Sequence, residues 1–208
     1  MSQPILDETF DGKAMDPRLR WHNPPVKWSL VGSCLVIQPE AKTDFWQKTH
    51  YGFSADNGHL LYLEVEGDIV LSTRVRFYPA HQYDQAGLMA YFSPECWLKT
   101  SVEYEAEGPS KLGAVVTNRG YSDWSTQDFP AGVNEVELRL RREGSDIIVE
   151  YCMAGATAEA VKAWTQIRMA HLDASPETPM RGGLYACSPI EAGYRAEFDY
   201  LRIEEGKV

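Results

Sequence analysis

Residues 59–79 read HLLYLEVEGDIVLSTRVRFYP, and this stretch decides the fold. After the turn signal Glu66-Gly67-Asp68, Ile69, Leu71, Thr73, Val75 and Phe77 share one parity, while Val70, Ser72, Arg74, Arg76 and Tyr78 share the other. Successive side chains of a strand point to opposite faces, so alternation over nine residues predicts a strand with one face in a core. The pattern recurs where Val136, Leu138 and Leu140 alternate with Glu137, Arg139 and Arg141. It recurs again in YRAEFDYLRIEE, read as one strand with Tyr194, Ala196, Phe198 and Tyr200 on one face and Arg195, Glu197 and Asp199 on the other.

Outward from there, Trp28 and Leu30, then Leu35 and Ile37 beyond Gly32-Ser33, predict a hairpin. Ser93-Pro94-Glu95 and residues 143–146 mark further turns. Residues 121–129 read as a loop. ILDETF reads as a short edge strand within an otherwise partly irregular segment, residues 1–20. Residues 154–164 suit either a short helix or a hairpin loop with one helical turn. Eleven or more strands with turn signals between them, and no internal repeat, predict a single all-β domain over residues 1–208, a β-sandwich or jelly roll.

Composition narrows the class. The chain has 208 residues, 44% hydrophobic and 24% charged, which suits a globular protein with a substantial core. Its 30 acids against 20 bases give a net charge of −10, which repels phosphate backbones and anionic lipid. Neither a nucleic-acid partner nor a membrane is expected. No run approaches the roughly 18 apolar residues of a membrane helix. MSQPILDETF lacks a signal-peptide pattern, and four widely spaced cysteines (Cys34, Cys96, Cys152, Cys187) show no zinc spacing. A cytoplasmic protein with reduced thiols is expected.

Residues 43–59, TDFWQKTHYGFSADNGH, crowd Phe45, Trp46, Tyr51 and Phe53 among histidines and aspartates. Rings mixed with hydrogen-bonding groups are what a small polar ligand requires, although some of these rings must belong to the core. Asp123-Trp124 repeats the pairing of an aspartate with a ring in Asp44-Phe45-Trp46. His81-Gln82-Tyr83-Asp84-Gln85 adds a polar cluster at a strand start. In the strand WLKTSVEYE, Trp97, Lys99, Ser101 and Glu103 share a parity. If that strand shares a sheet with VELRLRR, Arg139 and Arg141 join the same polar face. The plain alternative is a solvated face of cross-strand ion pairs. The ligand-binding candidates are therefore Asp44, Trp46, Tyr51, His59, Tyr83, Gln85, Lys99, Glu103, Asp123, Trp124, Arg139 and Arg141. Asp56, Asn57 and Asp84 are hard oxygen ligands, but they form no compact Ca²⁺ loop, so neither a metal nor a cofactor is expected.

Taken together, WHNPP, TDFWQKTHYGFSADNGH, QYDQAGLM, WLKTSVEY, VVTNRGYSDWS and ELRLRR resemble a concanavalin A-like family of unknown function that includes the fungal regulator-of-enolase protein. The resemblance runs in order from about Trp21 to Ile203. It implies a concanavalin A-like jelly-roll β-sandwich of the lectin/glucanase type, usually intracellular, with no established activity. It also implies signature positions at Asp44, Trp46, Thr49, Tyr51, Asp56, His59, Tyr83, Asp84, Gln85, Lys99, Glu103, Asp123 and Trp124, none with a proven role. Residues 154–164 depart from it in being longer and richer in alanine.

Three classes of function follow. The first is a module binding a sugar or sugar derivative. The second is a carbohydrate-active enzyme with Glu103, Asp84 or His59 as candidate catalytic groups, although the closely spaced carboxylates of lectin-like glucanases are missing. The third is a regulatory protein contacting a metabolic-enzyme partner. The mixture of rings and polar groups favours the first.

Overall fold

The computed structural model describes residues 4–12, 14–153 and 163–206. Among them the regular elements are strands: β1 (Pro4–Glu8), β2 (Arg20–His22), β3 (Lys27–Leu30), β4 (Leu35–Gln38), β5 (Phe45–Gln47), β6 (Ser54–Asp56), β7 (His59–Val65), β8 (Ile69–Tyr78) and β9 (Gln85–Ser93). They continue as β10 (Cys96–Glu103), β11 (Lys111–Asn118), β12 (Tyr121–Asp128), β13 (Glu135–Glu143), β14 (Asp146–Met153), β15 (Thr165–His171), β16 (Met180–Cys187), β17 (Arg195–Phe198) and β18 (Leu201–Glu205).

Two sheets form the sandwich. A nine-stranded sheet runs β15-β14-β13-β8-β17-β4-β3, with β18 also on β8 and β1 on β18. A seven-stranded sheet runs β12-β11-β10-β9-β16-β7-β2, and β5 pairs with β6 alone. The architecture is a concanavalin A-like jelly-roll sandwich. Alternation places the core between the sheets: Leu71 and Val75 of β8 and Leu138 of β13 belong to one buried cluster with Leu88 of β9, Leu98 of β10 and Leu184 of β16. Each fully buried aliphatic side chain contributes about 1.5–3 kcal/mol. All four cysteines are free and buried. No helix among the described residues is long and apolar enough to cross a membrane.

Several expectations change. Residues 121–129 are not a loop: β12 pairs with β11 from Tyr121 to Asp128 as a sheet edge, mostly wet on both faces, so its sequence lacks apolar alternation. YRAEFDYLRIEE is two strands. Strand β8 exchanges β17 for β18 at Asp199 and Tyr200, where the Thr73 hydroxyl donates to the Tyr200 carbonyl at 2.5 Å. Inward parity slips there by one residue. Leu201 and Ile203 are buried, and the Tyr200 hydroxyl instead reaches the Glu137 carboxylate at 3.3 Å. Within residues 1–20, β1 pairs with β18, and Phe10 and Leu19 are buried outside any strand. Residues 154–164, read as either a short helix or a hairpin loop with one helical turn, fall largely outside those described.

One correction bears on function. Strands β8 and β13 lie in the nine-stranded sheet and β10 in the other, so their polar faces point away from each other. Arg139 and Arg141 pair with Glu150 at 2.7 and 3.2 Å. Arg74 and Arg76 pair with Glu137 and Glu197 at 2.8 and 3.1 Å. That face is a ladder of cross-strand ion pairs.

Candidate functional site

The odd-numbered side chains of β10 leave the main core and meet a second cluster. Phe45, Trp46, Leu60, Met89, Tyr91, Trp97, Val115, Tyr185 and Cys187 pack together there, under the β5–β6 hairpin. The stretch that crowds aromatics is therefore a roof laid over the seven-stranded sheet. Phe45 is its keystone, meeting Tyr91, Trp97 and Tyr185 edge-on with centroids 6.2–6.3 Å away. Polar contacts pin both ends. The Gln47 amide donates to Ser122 Oγ of β12 at 2.9 Å, and Asn23 Nδ2, just past β2, donates to the Asp56 and Gly58 carbonyls at 2.9 and 3.1 Å. Glycine is required at 58 for space, because a Cβ there would lie 2.4 Å from the Phe45 ring and 2.5 Å from Cys187 Sγ.

Between roof and sheet lies a cavity of about 280 Å³. Trp46, Tyr51, Phe53, Tyr83 and Trp124 supply its rings, and Asp44, Gln85, Lys99 and Glu103 its polar groups. Lys99 is buried, with Nζ 3.1 Å from Asp44 Oδ1 and 5.8 and 5.7 Å from the centres of the Trp97 and Tyr185 rings. A buried ammonium needs such compensation. Gln85 Nε2 donates to Glu103 Oε2 at 2.8 Å and to the Tyr83 carbonyl at 3.1 Å, while its Oε1 accepts from the Tyr185 hydroxyl at 3.2 Å. Loss of hydration pushes the Glu103 carboxyl from 4.5 up to about 8. The Asp44 and Glu105 carboxylates add to the rise, and Lys99 and the Gln85 hydrogen bond oppose it. At neutral pH Glu103 is thus mostly a protonated carboxyl, able to donate a hydrogen bond.

Eight of the sequence-derived candidates line this cavity: Asp44, Trp46, Tyr51, Tyr83, Gln85, Lys99, Glu103 and Trp124. Four do not. Arg139 and Arg141 belong to the opposite sheet. His59 is a buried clasp, with Nδ1 2.7 Å from the Asn23 carbonyl and Nε2 2.9 Å from Glu40 Oε2. Asp123 stands exposed beside the cavity and pairs with Arg168 at 2.9 Å. Of the catalytic candidates, only Glu103 reaches the cavity. Asp84 is buried and accepts the Ala80 and His81 backbone amides, both at 2.8 Å, which makes it a turn-forming residue. Trp46 and Trp124 lie in strands β5 and β12 rather than in loops, and Trp46 is both wall and core. Phe53, Val115, Pro189 and Ile190 complete the lining. Of these, only Phe53 carried an aromatic signal in the sequence. Val115 faces Trp124 in the β11–β12 register, which pairing alone reveals. Asp56 accepts the Tyr91 hydroxyl at 3.1 Å, and among the described residues no three His, Cys, Asp or Glu side chains gather as a metal site requires.

The family described as "Protein of unknown function (DUF1349)" matches residues 21–206. The chain belongs to this family. Its DUF1349 region holds the roofing hairpin and every strand from β3 to β18, with β1 outside it. The chain is 30% identical over 178 residues to "Regulation of enolase protein 1" of Saccharomyces cerevisiae, covering 86% of this chain and 85% of that protein. Among solved structures, a functionally unknown protein from Saccharomyces cerevisiae superposes with a TM-score of 0.82 at 28% identity, covering 92% of this chain and 98% of that one. The GH43 protein BlXynB from Bacillus licheniformis superposes with a TM-score of 0.72 at 18% identity, over 96% of this chain but 39% of that one. At that identity the likeness concerns the fold of the DUF1349 chain alone.

Proposed function

We propose that the cavity under the β5–β6 roof binds a small polar ligand, a sugar or sugar derivative, and that the protein is a lectin-like binding module of the cytoplasm. The observation that carries this reading is one cavity holding five aromatic side chains above the Lys99–Asp44 and Glu103–Gln85 pairs. Ring faces cover the C–H faces of a sugar at low entropic cost, and fixed donors and acceptors orient its hydroxyls. Four free, buried cysteines support the compartment. The yeast relative's name, "Regulation of enolase protein 1", supports a setting in metabolism and contact with a metabolic enzyme as a further partner.

The test is a thermal-shift screen of neutral sugars and sugar phosphates followed by calorimetric titration. A ligand at 100 times its Kd raises stability by about 2.7 kcal/mol. Saturable binding of a sugar that weakens in Trp124→Ala is the expected result, and no shift with any sugar rejects the reading.

A second reading, a carbohydrate-active enzyme, is favoured by a protonated Glu103 carboxyl and an ion-paired Asp44 carboxylate in the same cavity. A general acid needs a pKa near the working pH, and Glu103 has one. Turnover of a bound glycoside that Glu103→Gln abolishes would establish the enzyme, and binding without turnover leaves the module.

A further inference from the structure

The aromatic wall of the cavity has a second side. An open hollow on the outer surface, of about 520 Å³, shares Trp46, Tyr51 and Trp124 with the first and adds Thr49, His50, Ser122 and Asp123. The two share these three rings as lining. The inner one, at about 280 Å³, lies just below the roughly 300–1,000 Å³ common for small-molecule sites. It suits one sugar ring.

The rim between the two is built with unusual backbone. Lys48, His50 and Gly52 have φ of 56°, 62° and 72°, three left-handed residues in five. Only the glycine adopts this conformation without cost, and strained positions of this kind concentrate at ligand clamps and active sites. The strain is locked by local bonds: Gly52 N–H donates to the Lys48 carbonyl at 2.8 Å, and Trp46 Nε1 donates to the Thr49 carbonyl at 3.0 Å. The result is a ring stair. Tyr51 meets Trp46 edge-on at 5.4 Å, and His50 meets Tyr51 edge-on at 4.8 Å, on the side of the outer hollow. Asp123, more than half exposed and paired through Oδ1 with Arg168 at 2.9 Å, stands in that hollow next to Trp124.

We propose that the ligand is a saccharide of at least two joined rings, the first in the inner cavity above Glu103 and Gln85, the second in the outer hollow against Trp124, with His50 and Asp123 for its hydroxyls. This deepens the sugar-binding reading and rests on it.

The experiment is calorimetric titration of the full chain with glucose against cellobiose and maltose, galactose against lactose, and xylose against xylobiose. One disaccharide should bind at least about tenfold more tightly than its monosaccharide, or about 1.4 kcal/mol. In the double variant Asp123→Ala, His50→Gly, that ratio should fall severalfold, and adding Trp124→Ala should bring it towards one. Glycine is chosen at 50 because it tolerates positive φ, and a melting curve confirms that the variant is folded. Equal affinities for monosaccharide and disaccharide overturn this inference and leave the single-ring sugar site standing. A disaccharide advantage undiminished in the double variant and in the triple variant places the second ring elsewhere and overturns it as well. Binding of none of the probes overturns both this inference and the sugar-binding reading.

Discussion

Lys99 Nζ lies 3.1 Å from Asp44 Oδ1, so a single ion pair joins the floor strand β10 to the residue that opens the roofing hairpin. The side chains are 3% and 16% exposed, which places the pair largely out of water. Removing one partner of a buried pair leaves the other charge uncompensated and costs about 3–5 kcal/mol. Because the pair borders a cavity, Asp44→Ala should fall at the low end, about 3 kcal/mol, and lower the melting temperature by roughly 6–12 °C. Lys99→Met, which removes the buried charge itself, should cost less. Thermal unfolding of both variants decides, and an Asp44→Ala variant as stable as the parent would show that the pair does not hold the roof.

The Glu103 carboxyl carries a pH prediction. Its pKa is about 8 in the folded chain against an ordinary 4.5, because burial strips its hydration. Below 4.5 both states are protonated and the group has no effect. Between 4.5 and 8 the folded state holds a proton that the unfolded state has lost, so stability falls as pH rises. Above 8 the penalty is complete. Glu103→Gln keeps the shape and removes the titration. Its melting temperature should match the parent near pH 4 and exceed it increasingly up to pH 9. A constant difference across that range would mean that Glu103 titrates normally.

The two tryptophans of the cavity should behave differently. Trp46 is 7% exposed and packed in the cluster around Phe45, whereas Trp124 is only partly buried against it. Trp46→Ala should cost about 3–5 kcal/mol, as large-to-small substitutions in cores do. Trp124→Ala should cost well under half of that and show itself mainly in ligand affinity. Denaturant unfolding measures both, and equal large losses would make Trp124 a core residue rather than a wall.

Gly58 tests how tightly the roof lies on the sheet. A methyl group there must displace the Phe45 ring or Cys187 Sγ, both nearer than 2.6 Å to its position. Overpacking of this kind costs about 1–3 kcal/mol. Gly58→Ala should also lift the hairpin enough for a thiol reagent to reach Cys187 in the native state, where the parent reacts slowly. Unchanged stability and thiol reactivity together would indicate a loosely seated roof.

Parity along a strand is a local property, and the sequence by itself determined it wherever a strand has one wet and one dry face. Ile69 to Phe77 and the all-β class were legible for that reason. The face of Lys99 and Glu103 was legible from residue type alone, since β10 is buried on both sides. Eight of the side chains that line the cavity were marked only as rings set beside carboxylates and amides. Strand β12 was not legible, because an edge wet on both sides has no period, and neither was the slip at Tyr200, which depends on β8 changing partners. Tertiary structure alone decided which strands share a sheet. Arg139 and Lys99 look alike in their strands, yet β13 and β10 present them to opposite sides of the sandwich. It also decided that His59 and Asp84 hold backbone rather than face the cavity. Strand pairing joins residues far apart in the chain through backbone hydrogen bonds that any residue but proline can make, so side-chain identity within one strand does not encode its neighbours.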